Sequence, residues 1–265
     1  MGPRRFHLIV SNILLIVILA ACAQSPASTS PSGTTAPAEN TGVPTQPAGA
    51  SASGGCANAY FPVTSGASWS YASSGNVLGA YTYTWTVSAV SDTGFTTSDQ
   101  YSTGVNATIQ WNCQGGNLAA LDAGSNSLSM STSKVTMTTN SVTAEGYNIP
   151  ATFNSGATWS ESVTANETVI SGTKSINSQI VILTNCSAAG ADTVTVPAGT
   201  FNTVKATCNQ TVAVSALVQG TAMPASAPVT VSVTDWYAKG VGLVKSVRTS
   251  TTSGTETIVL TQYSQ

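Results

Sequence analysis

YTYTWTVS, residues Tyr81–Ser88, alternates large apolar side chains with small polar ones. Successive side chains of a β-strand point to opposite faces, so this alternation predicts a strand with one buried face. The same period of two recurs at residues 180–186, 204–214 and 229–234. No amphipathic helix pattern follows Cys56, and we therefore expect an antiparallel all-β fold.

A six-residue motif occurs twice. SGASWS at residues 65–70 recurs as SGATWS at residues 155–160, and each copy follows a proline, Pro62 or Pro150. We interpret this as a duplicated β unit, with sub-repeats at about 56–146 and 147–265. Such a unit predicts a curved sheet forming an open barrel, or a sandwich of two sheets, within one domain that spans residues 56–265.

The N-terminus carries an export signal. Arg4 and Arg5 precede an apolar run too short to span a bilayer comfortably, as in a signal peptide. The run ends in LAAC at residues 19–22, which resembles the lipobox of bacterial lipoproteins. The resemblance implies that residues 1–21 are removed, that Cys22 is acylated (palmitate is expected), and that the chain is anchored to a membrane in the cell envelope, outside the cytoplasm. The alternative is an ordinary secretory signal that leaves Cys22 free.

Residues 22–55 form the expected link between anchor and domain. Of the 33 residues from 23 to 55, 28 are Ala, Ser, Thr, Pro or Gly. Such a composition buries too little apolar surface to offset the entropy of ordering, so we expect a disordered tether.

Four cysteines follow the tether: Cys56, Cys113, Cys186 and Cys208. An even number outside the cytoplasm predicts two disulfide bonds. Three pairings are possible, and we favour Cys56–Cys113 with Cys186–Cys208 because each bond then stays within one half of the domain. A zinc site is disfavoured, since no two cysteines have Cys-x-x-Cys spacing.

Composition excludes several function classes. After residue 21 the chain has six Lys or Arg and ten Asp or Glu, and no basic patch that would indicate a nucleic-acid partner. The only histidine, His7, lies in the signal peptide. We therefore expect no metal, cofactor or catalytic site, and we do not expect an enzyme. The carboxylates are scattered, and we expect most to be solvated at turns or strand ends: Asp92, Asp99, Asp122, Glu145, Glu161, Glu167, Asp192, Asp235 and Glu256.

Two longer motifs stand out, VPAGTF at residues 196–201 and WYAKGVGLVK at residues 236–245. Together with YFP at 60–62, they resemble a broad family of bacterial surface lipoproteins of unknown function. The resemblance implies an open, curved antiparallel sheet, distantly similar to the LolA/LolB-type lipoprotein carriers. Each motif also suits a hairpin, with Pro197 and the glycines supplying turn geometry.

The aromatic side chains Tyr81, Tyr83 and Trp85 are the candidate ligand face, although such a stripe is more often the buried side of a strand. The sequence leaves three functions open. The first is an anchored, non-catalytic domain that binds a partner, such as an envelope protein, or has a structural role. The second is a carrier or sensor of a lipid or other apolar ligand, and the third is a surface module that binds glycans.

Overall fold

The computed structural model describes residues 54–76, 79–121, 129–131, 135–224, 227–250 and 254–265. The expected signal peptide, Cys22 and all but the last two residues of the expected tether lie outside these ranges. No helix in the described ranges is long and apolar enough to cross a bilayer. The strands are β1 (Ser68–Ser74), β2 (Tyr81–Ser88), β3 (Gly94–Tyr101), β4 (Asn106–Gln114), β5 (Asn117–Leu121), β6 (Ser129–Ser131), β7 (Val135–Gly146), β8 (Thr158–Ser171), β9 (Lys174–Val196), β10 (Gly199–Val218), β11 (Thr221–Pro224), β12 (Val229–Ala238), β13 (Gly242–Ser250) and β14 (Gly254–Ser264).

The strands form one antiparallel sheet that curls into a nearly closed barrel. The last strand, β14, pairs with the first, β1, and β9 pairs with both β8 and β10. The seam lies between β4 and β7, where the three-residue β6 bridges the two strands. The all-β prediction is confirmed, and the barrel replaces the sandwich alternative.

Alternation along the strands separates an inner from an outer face. In β4, Ala107, Ile109 and Trp111 are buried while their neighbours are more exposed. The inner residues of β1 and β14 include Tyr71, Ile258 and Leu260, which are almost completely inaccessible. Burial of such side chains provides the main stabilisation of the sheet.

One end of the barrel is filled by the segment that precedes β1. The Phe61 ring lies 5.6 Å from Trp69, 5.6 Å from Phe95 and 5.4 Å from Trp111, measured between ring centroids. The indole Nε1 of Trp69 donates a hydrogen bond of 2.6 Å to the carbonyl of Val241. These contacts close the end of the barrel at which the chain enters.

The two copies of the repeated motif have equivalent backbone hydrogen bonds. In the first copy, Gly66 N donates to Val87 O, and Val87 N donates to Ala67 O. In the second, Gly156 N donates to Ala188 O, and Ala188 N donates to the carbonyl of residue 157. Each copy is thus a turn that leads into a strand, β1 or β8, and ties it to a neighbouring strand.

The cysteines form the two bonds favoured by the sequence, Cys56–Cys113 and Cys186–Cys208. The second joins residues that face each other directly in the β9–β10 ladder. The first ties the segment before β1 to the end of β4, and so holds the filling segment in place.

The two longer motifs form hairpin turns, as expected. Val196 and Gly199 pair across the two-residue turn between β9 and β10. In the second motif Gly242 has a φ of 110°, and a Cβ there would lie 3.5 Å from the Trp69 indole nitrogen. Glycine is favoured at this position because a positive φ is strained for residues that have a Cβ atom.

Candidate functional site

The structure places Tyr81, Tyr83 and Trp85 on the inner face of the barrel. Tyr83 is 5% exposed, whereas Tyr81 and Trp85 are partly exposed. The Tyr83 ring stacks on Tyr71 and on Tyr101, with 5.0 Å between centroids in both pairs. These residues are therefore an inner aromatic ladder rather than a row of rings on the outside.

Strand register explains the ladder. Tyr83 lies directly opposite Tyr71 on β1 and opposite Tyr101 on β3. Directly opposed side chains in antiparallel strands are close enough for aromatic rings to pack. Trp85, on the same face, lies directly opposite Asp99 on β3.

Charged residues lie on the inner face beside this ladder. Glu256 accepts hydrogen bonds from Ser73 Oγ at 2.5 Å and from Asn76 Nδ2 at 3.2 Å. Burial acts to raise the pKa of Glu256, but hydrogen bonds from Ser73, Tyr81 and Asn76 outweigh it and lower the pKa. Arg248 lies opposite Glu256 in the β13–β14 ladder.

Asp235 occupies the inner face of β12. Its Oδ2 accepts a hydrogen bond of 3.2 Å from the Tyr237 hydroxyl. Burial raises the pKa of Asp235, although Arg248 and a hydrogen bond from Ser246 act in the opposite direction. Asp99 on β3 is 2% exposed and lies directly opposite Trp85. Burial raises the pKa of Asp99 to about 7, although a hydrogen bond from Trp85 acts in the opposite direction.

Tyr71 lies on the same inner face and is 1% exposed. Its hydroxyl donates to the carbonyl of Leu243 at 3.0 Å, so it is not available to either carboxylate. Burial, followed by the negative charges of Asp235 and Asp99, raises the pKa of Tyr71. We call Tyr71, Tyr81, Tyr83, Trp85, Asp99, Tyr101, Asp235, Tyr237, Arg248 and Glu256 the polar–aromatic wall.

β8 carries two further inward carboxylates. Glu161 Oε2 accepts a hydrogen bond of 2.7 Å from Asn148 Nδ2, while its Oε1 has no partner. Glu167 is 1% exposed, and neither of its carboxylate oxygens has a partner. Burial raises the pKa of Glu161 to about 8 and that of Glu167 to about 7.

Between these glutamates lies a second apolar cluster, on strands β7 to β10. Its buried members are Val163, Ala165 and Ile182, and the partly exposed side chains that pack on them are Val142, Ala144, Ile180 and Val212. We call these seven residues the aliphatic wall. The barrel interior therefore combines an aliphatic surface on one group of strands with charged and aromatic groups on another.

The expectation of solvated carboxylates is wrong for five of the nine: Asp99, Glu161, Glu167, Asp235 and Glu256 all point inward. Asp92, Glu145 and Asp192 are exposed, and Asp122 lies outside the described residues. The missed signal was strand parity, because Glu161 and Glu167 occupy the same alternate positions in β8 as Trp159 and Val163. Among the described residues, no group of three or more His, Cys, Asp or Glu side chains could hold a metal ion.

A separate groove of about 470 Å³ lies on the outer face, across β8, β9 and β10. Its polar lining consists of hydroxyl and amide side chains: Thr158, Ser160, Asn185, Ser187, Thr207 and Asn209. Asn185 and Asn209 face each other across the β9–β10 ladder. A neutral polyhydroxyl ligand is the kind of molecule that this lining could hydrogen-bond.

The chain is similar to one protein family and to two solved structures. Residues 73–250 match the DUF3108-like family. A candidate lipoprotein structure from Parabacteroides distasonis is 18% identical, with a TM-score of 0.49, over 78% of this chain and 99% of that one. A candidate exported protein with a YmcC-like fold from Bacteroides fragilis is 14% identical, with a TM-score of 0.46, over 78% and 100%. No curated protein matches significantly. Because the family match spans more than half of its residues, the chain belongs to the DUF3108-like family.

Proposed function

We propose that this protein is a lipid-anchored envelope protein whose barrel binds an amphiphilic ligand in its interior without catalysis. The anchor would be Cys22, and residues 23–55 would hold the barrel away from the membrane. The observation that carries the binding role is the interior, where the aliphatic wall and the polar–aromatic wall belong to the same inner face.

The aliphatic wall supports an apolar ligand. Val142, Ile180 and Val212 face inward but remain partly exposed. Burying an aliphatic side chain fully contributes roughly 1.5–3 kcal/mol. A ligand that covers these residues would therefore bury apolar surface that the protein alone leaves partly exposed, and this burial would favour binding. In contrast, Phe61 and its neighbours Trp69, Phe95 and Trp111 at the filled end are all buried.

A non-catalytic role agrees with the side chains available. The chain beyond the expected cleavage point has no histidine to act as a general base or metal ligand. Its inward carboxylates are spread over β3, β8, β12 and β14. This arrangement fits recognition of a ligand better than proton transfer at one reacting atom.

Site-specific photocrosslinking in cells tests the binding role. A diazirine-bearing aliphatic residue replaces Val212 on the inner face or, as a matched control, Leu183, which is 47% exposed on the outer face of the neighbouring strand. The full-length, anchored chain is irradiated and its adducts are identified by mass spectrometry. We expect amphiphile adducts at position 212 only. Absence of adducts at 212, or equal yields at both positions, would contradict the proposal.

The outer groove supports a second candidate, binding of a neutral glycan. Its lining has no charged side chain. Binding of the full-length protein to an array of neutral oligosaccharides, compared with an Asn185→Ala variant, tests this function. Binding that is lost in the variant would support it, and failure to bind any glycan on the array would contradict it.

A further inference from the structure

Exposed apolar side chains are concentrated at the end of the barrel opposite the filled end, which we call the far end. Three large apolar side chains are exposed there: Ile170 at 44%, Val218 at 37% and Met223 at 46%. Ile170 is the second-last residue of β8, while Val218 and Met223 belong to the two strands of the β10–β11 hairpin. We call these three residues the apolar rim.

Strand pairing places the apolar rim at the far end. Ser178 on β9 lies opposite Ala216 on β10, which in turn lies opposite Met223 on β11, so the β8–β9 and β10–β11 hairpins are neighbours. β10 begins beside the end of β12. In the turn that follows β12, Gly240 N donates a hydrogen bond of 2.7 Å to the carbonyl of Ala59, in the segment that fills the barrel. β10 therefore runs from the filled end to the apolar rim.

The apolar rim continues the apolar inner surface. Ala216 is 8% exposed on the inner face, and Met223 shares that face because the two residues are directly opposed. Val218 follows Ala216 by two positions and has the same orientation. In the other direction, the same alternation leads through Val214 to Val212 of the aliphatic wall. An apolar inner surface thus runs along β10 from the aliphatic wall to the far end.

Charge around the apolar rim is sparse and basic. Residues 168–178 and 214–224 contain no acidic residue and one basic residue, Lys174, which is exposed in the β8–β9 hairpin. Exposed apolar groups that lie together mark a surface that contacts an apolar partner. A lysine beside such groups suits a bilayer, because its apolar stem can lie among acyl chains while its ammonium group reaches the phosphates.

The expected tether is long enough for the far end to reach a bilayer. β10 has 20 residues, so the apolar rim lies about 65 Å from the start of that strand. Residues 23–55 would extend to about 100 Å. The barrel could therefore turn its far end toward the bilayer that holds the proposed anchor, Cys22, without releasing that anchor.

We propose that the far end of the barrel docks on a phospholipid bilayer through the apolar rim, and that the amphiphilic ligand passes there between the bilayer and the aliphatic wall. The inference rests on the proposed function and adds the surface through which the ligand is exchanged. Docking would bury the apolar rim, and the apolar side of β10 would keep the apolar part of the ligand out of water along its path.

Photocrosslinking from the outer face tests the docking. A diazirine-bearing aliphatic residue replaces Ile170 or, as a matched control, Leu183, which is 47% exposed and also faces outward. Neither position faces the interior, so a ligand bound inside the barrel does not contribute. The full-length protein is reconstituted in phosphatidylcholine nanodiscs and irradiated. We expect about tenfold more phospholipid adducts at position 170, since burial of one apolar side chain is worth at least about that factor.

A second experiment tests the role of the apolar rim in ligand exchange. The double variant Val218→Ser, Met223→Ser should lower the phospholipid adducts at position 170 about tenfold, and should also lower the amphiphile adducts at position 212. Val90→Ser, which changes a side chain 40% exposed between β2 and β3, is the control and should change neither yield. If the double variant does not fold, the comparison of positions 170 and 183 still decides whether the far end docks.

The outcomes separate this inference from the proposed function. Equal phospholipid yields at positions 170 and 183 would overturn the docking, and amphiphile adducts at position 212 would then leave the binding role standing. Adducts at position 170 with a second copy of this chain, in place of phospholipid, would overturn the bilayer as the partner. Phospholipid adducts that persist in the double variant would overturn the role of the apolar rim. Absence of adducts at position 212 in the unmodified background would contradict the proposed function itself.

Discussion

At the scale of single residues, parity within a strand decides how a polar side chain behaves. Glu161 and Glu167 would be ordinary surface carboxylates if the sheet were displaced by one residue, because such a shift exchanges the two faces. Their inward position instead removes them from water, which disfavours the charged form. Burying these carboxylates destabilises the folded chain, and a purely structural role of the barrel does not require it. Their burial therefore indicates that the interior has a function.

The buried carboxylate of Glu161 should make stability depend on pH. Its pKa is raised from 4.5 to about 8 in the folded chain, so the folded state holds the proton more tightly than the unfolded state does. The free energy of unfolding should therefore fall as pH rises from about 4.5 to about 8. Glu161→Gln should remove this part of the decrease and be more stable than the parent at pH 8, by a few kcal/mol at about 1.4 kcal/mol per pKa unit.

Urea unfolding at pH 5 and at pH 8 measures the effect. Glu145→Gln, an exposed position on β7, is the matched control and should follow the unmodified chain. Equal stabilities of Glu161→Gln and the unmodified chain at pH 8 would refute the explanation by burial.

The two repeated tryptophans should contribute similarly. Trp69 Nε1 donates to Val241 O, and Trp159 Nε1 donates to Asn148 O at 3.0 Å. Trp69→Phe and Trp159→Phe each remove one buried hydrogen bond and leave a carbonyl without its donor, a loss of about 1–3 kcal/mol. Thermal unfolding of the two variants measures it, and a loss at only one position would show that the repeats are not energetically equivalent.

At the scale of elements, the repeated SGA(S/T)WS motif and the disulfide bonds have distinct structural roles. Each copy of the motif starts a strand and ties it to a neighbour, whereas the disulfides connect segments at the filled end and within the β9–β10 ladder. The alternation at residues 180–186 and 204–214 was enough to predict that Cys186 and Cys208 share a face. Their direct opposition depends on the hairpin turn at Pro197 and on the register shift between Lys205 and Ala206, because the register of the turn alone would place Cys208 opposite Ser187.

Removal of each disulfide should destabilise the fold according to the loop it closes. The Cys186–Cys208 pair is separated by 22 residues and the Cys56–Cys113 pair by 57. In the chain-entropy model these losses are about 3 and about 4 kcal/mol, respectively. Unfolding of the paired Cys→Ala variants in guanidinium measures both losses. A smaller loss for Cys56–Cys113 than for Cys186–Cys208 would contradict the model, in which a disulfide stabilises the fold by restraining the unfolded chain.

At the scale of the whole molecule, the barrel has one end that is filled by the residues preceding β1. The proposed tether, residues 23–55, would span roughly 30 Å as a flexible coil and up to about 100 Å if extended, and would hold the barrel interior away from the bilayer. An amphiphile bound there would then be held outside the membrane, which is consistent with a carrier or sensor.

Loss of the anchor cysteine tests the location. Cys22→Ser should abolish incorporation of labelled palmitate and leave a chain that retains residues 1–21, both measurable by autoradiography and intact-mass spectrometry. An unmodified chain that carries no acyl group, or that stays in the cytoplasm, would contradict the proposed location and the reason for expecting oxidised cysteines.

The sequence by itself determined the all-β class, the alternating strands at residues 81–88, 180–186, 204–214 and 229–234, and the two hairpin turns, because each depends on residues close together in the chain or on composition. Only the tertiary structure decided the pairing of β14 with β1, the closure through β9 and β10, and hence the barrel. It also decided that Asp99, Asp235 and the aromatic ladder lie on one inner face. Alternation assigns a side chain to one of two faces, but which distant strands share that face depends on long-range pairing that no local pattern encodes.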